Sequence, residues 1–235
     1  MVASISCICS ICTRRFTLMF KSAAIALLLL LTGCAMQSAP AISHDGLELV
    51  DAGSLDTVYR RPGVNLGEYN RFIVGDCSVA FRKHWQRDQN STSRGVNSRI
   101  SDEDMENTKA RLGKLCHEIF VEELTRDGGY PVVDTAGVDV LELRPAIVDL
   151  DINAPDTFTA GRSRSYTTSA GGMTLYLESF DSLTGEIVGR VIDKRKAPEN
   201  FELQWTNSVT NTRDAKRILR LWGSRLRDMA DNARH

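Results

Sequence analysis

The chain reads as an α+β domain: a mostly antiparallel, mixed sheet with two main helices packed on one face. Two observations predict it. Segments with apolar residues every three or four positions (101–126 and 211–230) bracket runs that alternate apolar and polar with period two. The order strand, helix, strand, strand, hairpin, helix then makes the economical architecture helices laid on one side of a sheet.

Before the domain comes a stretch that reads as an address. Ala23 to Leu31 is continuously apolar, Lys21 precedes it, and Leu31-Thr32-Gly33-Cys34 follows. A basic residue, an apolar run and small residues before a cysteine are the order of a secretory signal. The last four positions have the form of a lipobox, similar to bacterial lipoprotein signals, with Cys34 as the lipidation site. Nine apolar residues rise only about 14 Å as a helix, roughly half a hydrocarbon core, so a spanning helix is not expected. Ala35 rather than an aspartate follows the cysteine, which by that resemblance implies sorting to the outer membrane. Residues 1–33 are therefore expected to be removed and 34–58 to form a lipidated N-terminus and flexible tether, leaving 59–232 as one domain. Met1 to Leu18 make a long lead, and Met19 is the more ordinary start. Thr13-Arg14-Arg15-Phe16 is a rival twin-arginine reading. Cys7, Cys9 and Cys12 have no fourth ligand nearby, so no zinc site is expected.

Removing 1–33 takes away three basic residues and no acidic one, leaving 26 against 30 and a net charge of −4. That balance points away from nucleic acid. A 202-residue remainder fits one core with a tether. Two cysteines remain besides Cys34, namely Cys77 and Cys116, both on faces expected to be buried. An inert thiol pair competes with a disulfide there, since a bridge needs Cα atoms within about 7 Å and a strand and a helix are usually farther apart.

The elements follow in order. Residues 35–58 are small and polar and allow one docked turn around Leu47, Leu49 and Val50; Arg61-Pro62-Gly63 closes them. From Tyr69, Ile73, Gly75, Cys77, Val79 and Phe81 alternate with Asp76 and Ser78, which predicts one strand with one core face. Residues 86–100 are expected to be a mobile polar loop. Ser101 can cap a helix whose first turn holds Asp102, Glu103 and Asp104, and Met105, Leu112, Leu115, Cys116, Ile119, Phe120 and Leu124 form its stripe. Asp127-Gly128-Gly129 should stop it. A short strand is expected over Tyr130–Asp134 and a longer one over Val138–Ile152, where Pro145 signals an edge, a bulge or a break. Residues 154–172 read as a loop, and 173–180 with 187–193 as a hairpin around Asp181–Glu186. The last helix buries Ala215, Ile218, Leu219, Trp222, Leu226 and Met229 and turns Arg213, Lys216, Arg217, Arg220, Arg225 and Arg227 outward.

Several of these features together resemble a family of bacterial lipoproteins, the domain of unknown function 3313. They are Tyr59 with Arg61-Pro62-Gly63, Tyr69, Gly129 to Asp134, Ser169 to Gly172, and Phe180-Asp181 through Thr184-Gly185-Glu186 to Val191-Ile192-Asp193. The resemblance spans about residues 46–230 and implies a small periplasmic α/β domain of an envelope accessory lipoprotein. It implies no catalytic residues.

Chemistry-bearing groups are sparse. Of four histidines, at 44, 84, 117 and 235, only His84 and His117 stand within the domain as usable bases. His117 points about 100° away from Cys116 on the helix. No G-x-S-x-G or H-E-x-x-H occurs, and Gly171-Gly172 lacks a Walker lysine. Asp149 and Asp151 would share a strand face and form a weak calcium candidate; a solvated face is the plainer reading. Arg213, Lys216, Arg217 and Arg220 could contact anionic headgroups or a partner, although a solvated face is the plainer reading because an amphipathic helix must turn something charged outward; Arg162 and Arg164 in the long loop form a second such set. The expectation is thus a non-enzymatic outer-membrane lipoprotein without metal or cofactor, facing the periplasm and serving an unidentified envelope protein or lipid. An envelope hydrolase and a purely structural lipoprotein are the alternatives.

Overall fold

The computed structural model describes residues 39–51, 53–92, 99–152, 165–167, 171–196, 204–206 and 208–234. The chain divides between Ala39 and Pro40, and everything below concerns the second unit. The elements are β1 (Glu48–Val50), β2 (Thr57–Arg60), β3 (Arg71–Val74), β4 (Ser78–Phe81), α1 (Trp85–Thr92), α2 (Asp102–Thr125), β5 (Val140–Ile152), β6 (Ser165–Thr167), β7 (Gly171–Asp181), β8 (Ile187–Lys196), β9 (Gln204–Thr206) and α3 (Ser208–Ala233).

One sheet runs β1-β2-β8-β7-β5, with β3 and β4 in turn beside β5; β6 and β9 form a separate pair. All ladders are antiparallel except those of β3 and β4 with β5, so the sheet is mixed and mostly antiparallel. Inward residues of β5, β7 and β8 (Leu141, Leu143, Ile147, Leu175, Leu177, Val191) share one cluster with Ile119, Phe120 and Leu124 of α2 and Ile218, Leu219 and Trp222 of α3. Two helices on one face of an antiparallel sheet is the α+β arrangement expected from the sequence.

Local signals explain the long elements. Ser101 and Asp104 form a reciprocal capping box on α2, each side chain taking a free amide of the other's backbone. The helix ends where Asp127 and Gly128 both adopt positive φ, so the left-handed turn begins one residue before the glycine. The β7–β8 hairpin turns where Asp181 Oδ1 accepts the amides of Leu183 (3.0 Å) and Thr184 (2.7 Å).

Other expectations are corrected. The described part of the expected tether, 39–51 and 53–58, is docked: Leu47 is fully buried, the Ser43 amide donates to the Leu47 carbonyl (2.8 Å), the Leu47 amide donates to Ser43 Oγ (3.0 Å), and β1 and β2 extend the sheet. The surrounding small polar composition concealed this because β1 and β2 are only three and four residues long, too short to show a period. The strand expected from Tyr69 to Phe81 is two strands separated at 75–77, and its buried members are Phe72, Val74 and Cys77 rather than Ile73. Pro145 lies inside the sheet, opposite that interruption: Val74 pairs with Leu143 and Ser78 with Ala146, so its missing donor falls where the neighbouring ladder is already broken. Residues 85–92 are helical rather than loop, because Trp85 is buried and stacks on Phe81 (4.3 Å) while Asn90 holds both backbone groups of Ile100. The remainder of that expected loop, 93–98, lies outside the described residues. Val132 makes a single parallel bridge to Phe72 in place of a strand over 130–134. The expected loop 154–172 is shorter, since 165–167 pair with 204–206 and 171–172 begin β7.

Candidate functional site

The most concentrated polar chemistry among the described residues sits on the outer side of the sheet, around Arg190 at the centre of β8. Sheet register sets Arg190 opposite both Glu178 of β7 and Tyr59 of β2. Its guanidinium donates to Glu178 Oε1 through Nε (3.0 Å) and Nη2 (2.7 Å), to Asp45 Oδ1 through Nη1 (3.1 Å), and to Asp45 Oδ2. Tyr176 adds its hydroxyl to Glu178 and its ring beneath the cation. Arg190 is 6% exposed. The Arg190 hydrogen bonds hold the Asp45 carboxyl well below the usual carboxylate range. Burial works against the Arg190 charge, but Asp45 and Glu178 together outweigh it and raise its pKa. Two carboxylates saturate the cation, so this cluster is a clasp that ties residues 40–47 to the sheet. Tyr59 completes it by donating to the Pro40 carbonyl (2.9 Å).

The inner side has its own buried charge. Asp193 accepts from Trp222 Nε1 (2.7 Å), from Arg195 Nε (2.5 Å) and from the Asp56 amide (2.9 Å), and is fully buried. Arg190 and Asp193 are three apart in an uninterrupted register, so their side chains point to opposite faces. The Asp45 segment and helix α3 therefore lie on opposite sides of the sheet. Neither cluster was read from the sequence. The available signal was a charge at each end of the otherwise apolar Arg190-Val191-Ile192-Asp193.

Cys77 and Cys116 form a disulfide between the β3–β4 connection and α2, with Cα atoms 6.1 Å apart. The layers come this close because Gly113 packs on the connection: a Cβ there would stand 2.6 Å from the Cys77 carbonyl oxygen. Beside it, His117 Nδ1 lies 3.2 Å from the Gly75 carbonyl oxygen. His84 is exposed, with φ 64°. Asp149 and Asp151 do not form the expected pair: Asp149 has φ 51° at a bulge, which breaks the period of two, and Asp151 pairs with Arg82 (3.0 Å).

Of the basic positions on α3, Arg213, Lys216 and Arg217 are exposed and carry no ion pair among the described residues. Arg220 makes one long contact to Glu122 (3.7 Å), both side chains more than half exposed. Arg227 is not outward as expected; it donates to the carbonyls of Glu123 and Arg126 and fastens α3 to the end of α2. Cys34, Arg162 and Arg164 lie outside the described residues.

Comparison with known proteins places the domain. The model of one protein family, described as protein of unknown function (DUF3313), matches residues 39–226. The chain belongs to the DUF3313 family. Among curated proteins no match was found. Similar solved structures include two of the PelC dodecamer from Paraburkholderia phytofirmans. The form in space group P6 has a TM-score of 0.37 at 10% identity. A single-substitution variant in space group C2 has 0.34 at 13%. Each comparison covers 73% of this chain and 96% of that chain. The DUF3313 match starts one residue before Pro40, so the clasped segment belongs to the family domain rather than to a leader.

Proposed function

We propose that this DUF3313 protein is an outer-membrane lipoprotein whose α+β domain faces the periplasm as a non-enzymatic accessory or binding module for another envelope component. The observation that carries the reading is the junction between anchor and domain. Pro40, where the Arg190 clasp begins, is the sixth residue after the lipobox cysteine Cys34. Six residues reach at most about 21 Å, so a lipid on Cys34 would hold the folded domain against its membrane. A segment clasped by a buried ion cluster transmits that tether to the sheet as a fixed attachment.

The test is fractionation of cells expressing the wild type and Cys34→Ser, with labelled palmitate. Wild type should take up label and sediment with the outer membrane, and Cys34→Ser should do neither. Crosslinking in intact envelopes should then recover a specific partner with the wild type. An unlabelled wild type, or a Cys34→Ser protein still membrane-bound, overturns the anchor; crosslinking that recovers nothing specific overturns the accessory role.

A further inference from the structure

The N-terminal half of α3 bears a charge arrangement that the fold does not use. Arg213, Lys216, Arg217 and Arg220 are spaced by three and four residues, which aligns them in a strip about 10 Å long on the side away from the core. The C-terminal half of the helix balances its own charges, Arg225 with Asp228 (3.3 Å) and Arg227 with Asp231 (3.8 Å). The first half does not: its only ion pair among the described residues is the long Arg220–Glu122 contact. Helix stability gives no reason for the bias, because cations are favoured at the C-terminal end of a helix and not in its first half. Leu221, 39% exposed, flanks the strip and adds an apolar contact to it.

We propose that this strip is a docking surface for an acidic protein segment, turned away from the membrane that holds the protein. Charge complementarity selects the acidic partner, and Leu221 favours a polypeptide, which can bring an apolar side chain alongside its carboxylates. The choice of protein over headgroups rests on the anchor reading above. Asp45 on Arg190 places the anchor segment on one face of the sheet, and Trp222 on Asp193 places α3 on the other. A membrane touching the strip would lie beyond the sheet and a helix of roughly 10–12 Å diameter. A tether of at most about 21 Å would have to be drawn taut around the domain to allow it.

The test uses the full chain carrying Cys34→Ser, so that acyl chains do not contribute. The probes are a fluorescent peptide of glutamate and leucine and vesicles of phosphatidylglycerol with phosphatidylethanolamine. The peptide should bind with an affinity that falls as salt is raised. Combined Arg213→Glu, Arg217→Glu and Arg220→Glu should weaken it by about tenfold or more, whereas Arg225→Glu, outside the strip, should change it by less than about twofold. Circular dichroism and the thermal midpoint check that the fold is kept; if the triple variant unfolds, Arg213→Gln with Arg217→Gln replaces it. No binding of the peptide, equal binding by the strip variant, or strip-dependent binding to the vesicles in place of the peptide overturns the proposal. Lipidation of Cys34 is measured separately, so a protein that binds the peptide but carries no lipid refutes the anchor and leaves the docking surface standing.

Discussion

Trp222 Nε1 donates to Asp193 Oδ2 at 2.7 Å with both residues buried, and this bond joins helix α3 to strand β8 across the core. Trp222→Phe keeps most of the apolar volume and removes the donor, leaving a buried carboxylate one partner short. The expected loss is about 2–3 kcal/mol, measured by urea unfolding. A loss below about 0.5 kcal/mol would mean that Arg195 and the Asp56 amide suffice for Asp193.

The disulfide closes a separation of 39 residues. Reduction, or paired Cys77→Ser and Cys116→Ser substitution, should lower stability by about 4 kcal/mol in the chain-entropy account. Urea midpoints with and without reductant give the difference. Thiol titration of the denatured, unreduced protein should find neither cysteine free.

Asp45 ties stability to pH. Arg190 depresses its folded pKa, so the clasp contributes fully above the unfolded value near 4 and is lost as pH falls through the lower folded value. Asp45→Asn should cost about 2 kcal/mol at pH 7. It should also flatten the stability profile below about pH 4. Hydrogen exchange at the Leu47 and Leu49 amides, which bond within the clasped segment, should accelerate in the variant. An unchanged acid limb would assign the pH dependence to other carboxylates.

Gly223 is where α3 crosses α2. A Cβ there would lie 2.9 Å from both Cβ and Cγ of Glu123, whose side chain is buried and paired to Arg126 (2.6 Å). Alanine gains about 1 kcal/mol in helix propensity, and Gly223→Ala should nevertheless destabilise the fold by about 1–3 kcal/mol through overpacking. A thermal midpoint equal to or above wild type would show that the helices can separate without cost.

What was legible in the sequence is what a few neighbouring residues encode. The Ser101 cap and its carboxylates, the stripe that carries Ile218, Leu219 and Trp222, and the Asp181–Glu186 turn each act within one or two turns of chain, and each stands as read. Where the local signal was thin or mixed, the reading failed. β1 and β2 are too short to show a period, at three and four residues, and the Gly75–Cys77 break shifts the buried face of one continuous pattern. Trp85 makes α1 a packed helix by stacking on a residue outside its own segment.

For the candidate site, the sequence by itself offered the Leu31–Cys34 motif behind the proposed anchor and the basic spacing on α3, because both are contiguous or helical patterns. Only the tertiary structure decided that Asp45 meets Arg190 across 145 positions, that Cys77 meets Cys116, and that the Asp45 segment and α3 take opposite faces. Those relations follow from sheet register, where a shift of one residue sends a side chain to the other face, and no short window of sequence specifies the register between distant strands.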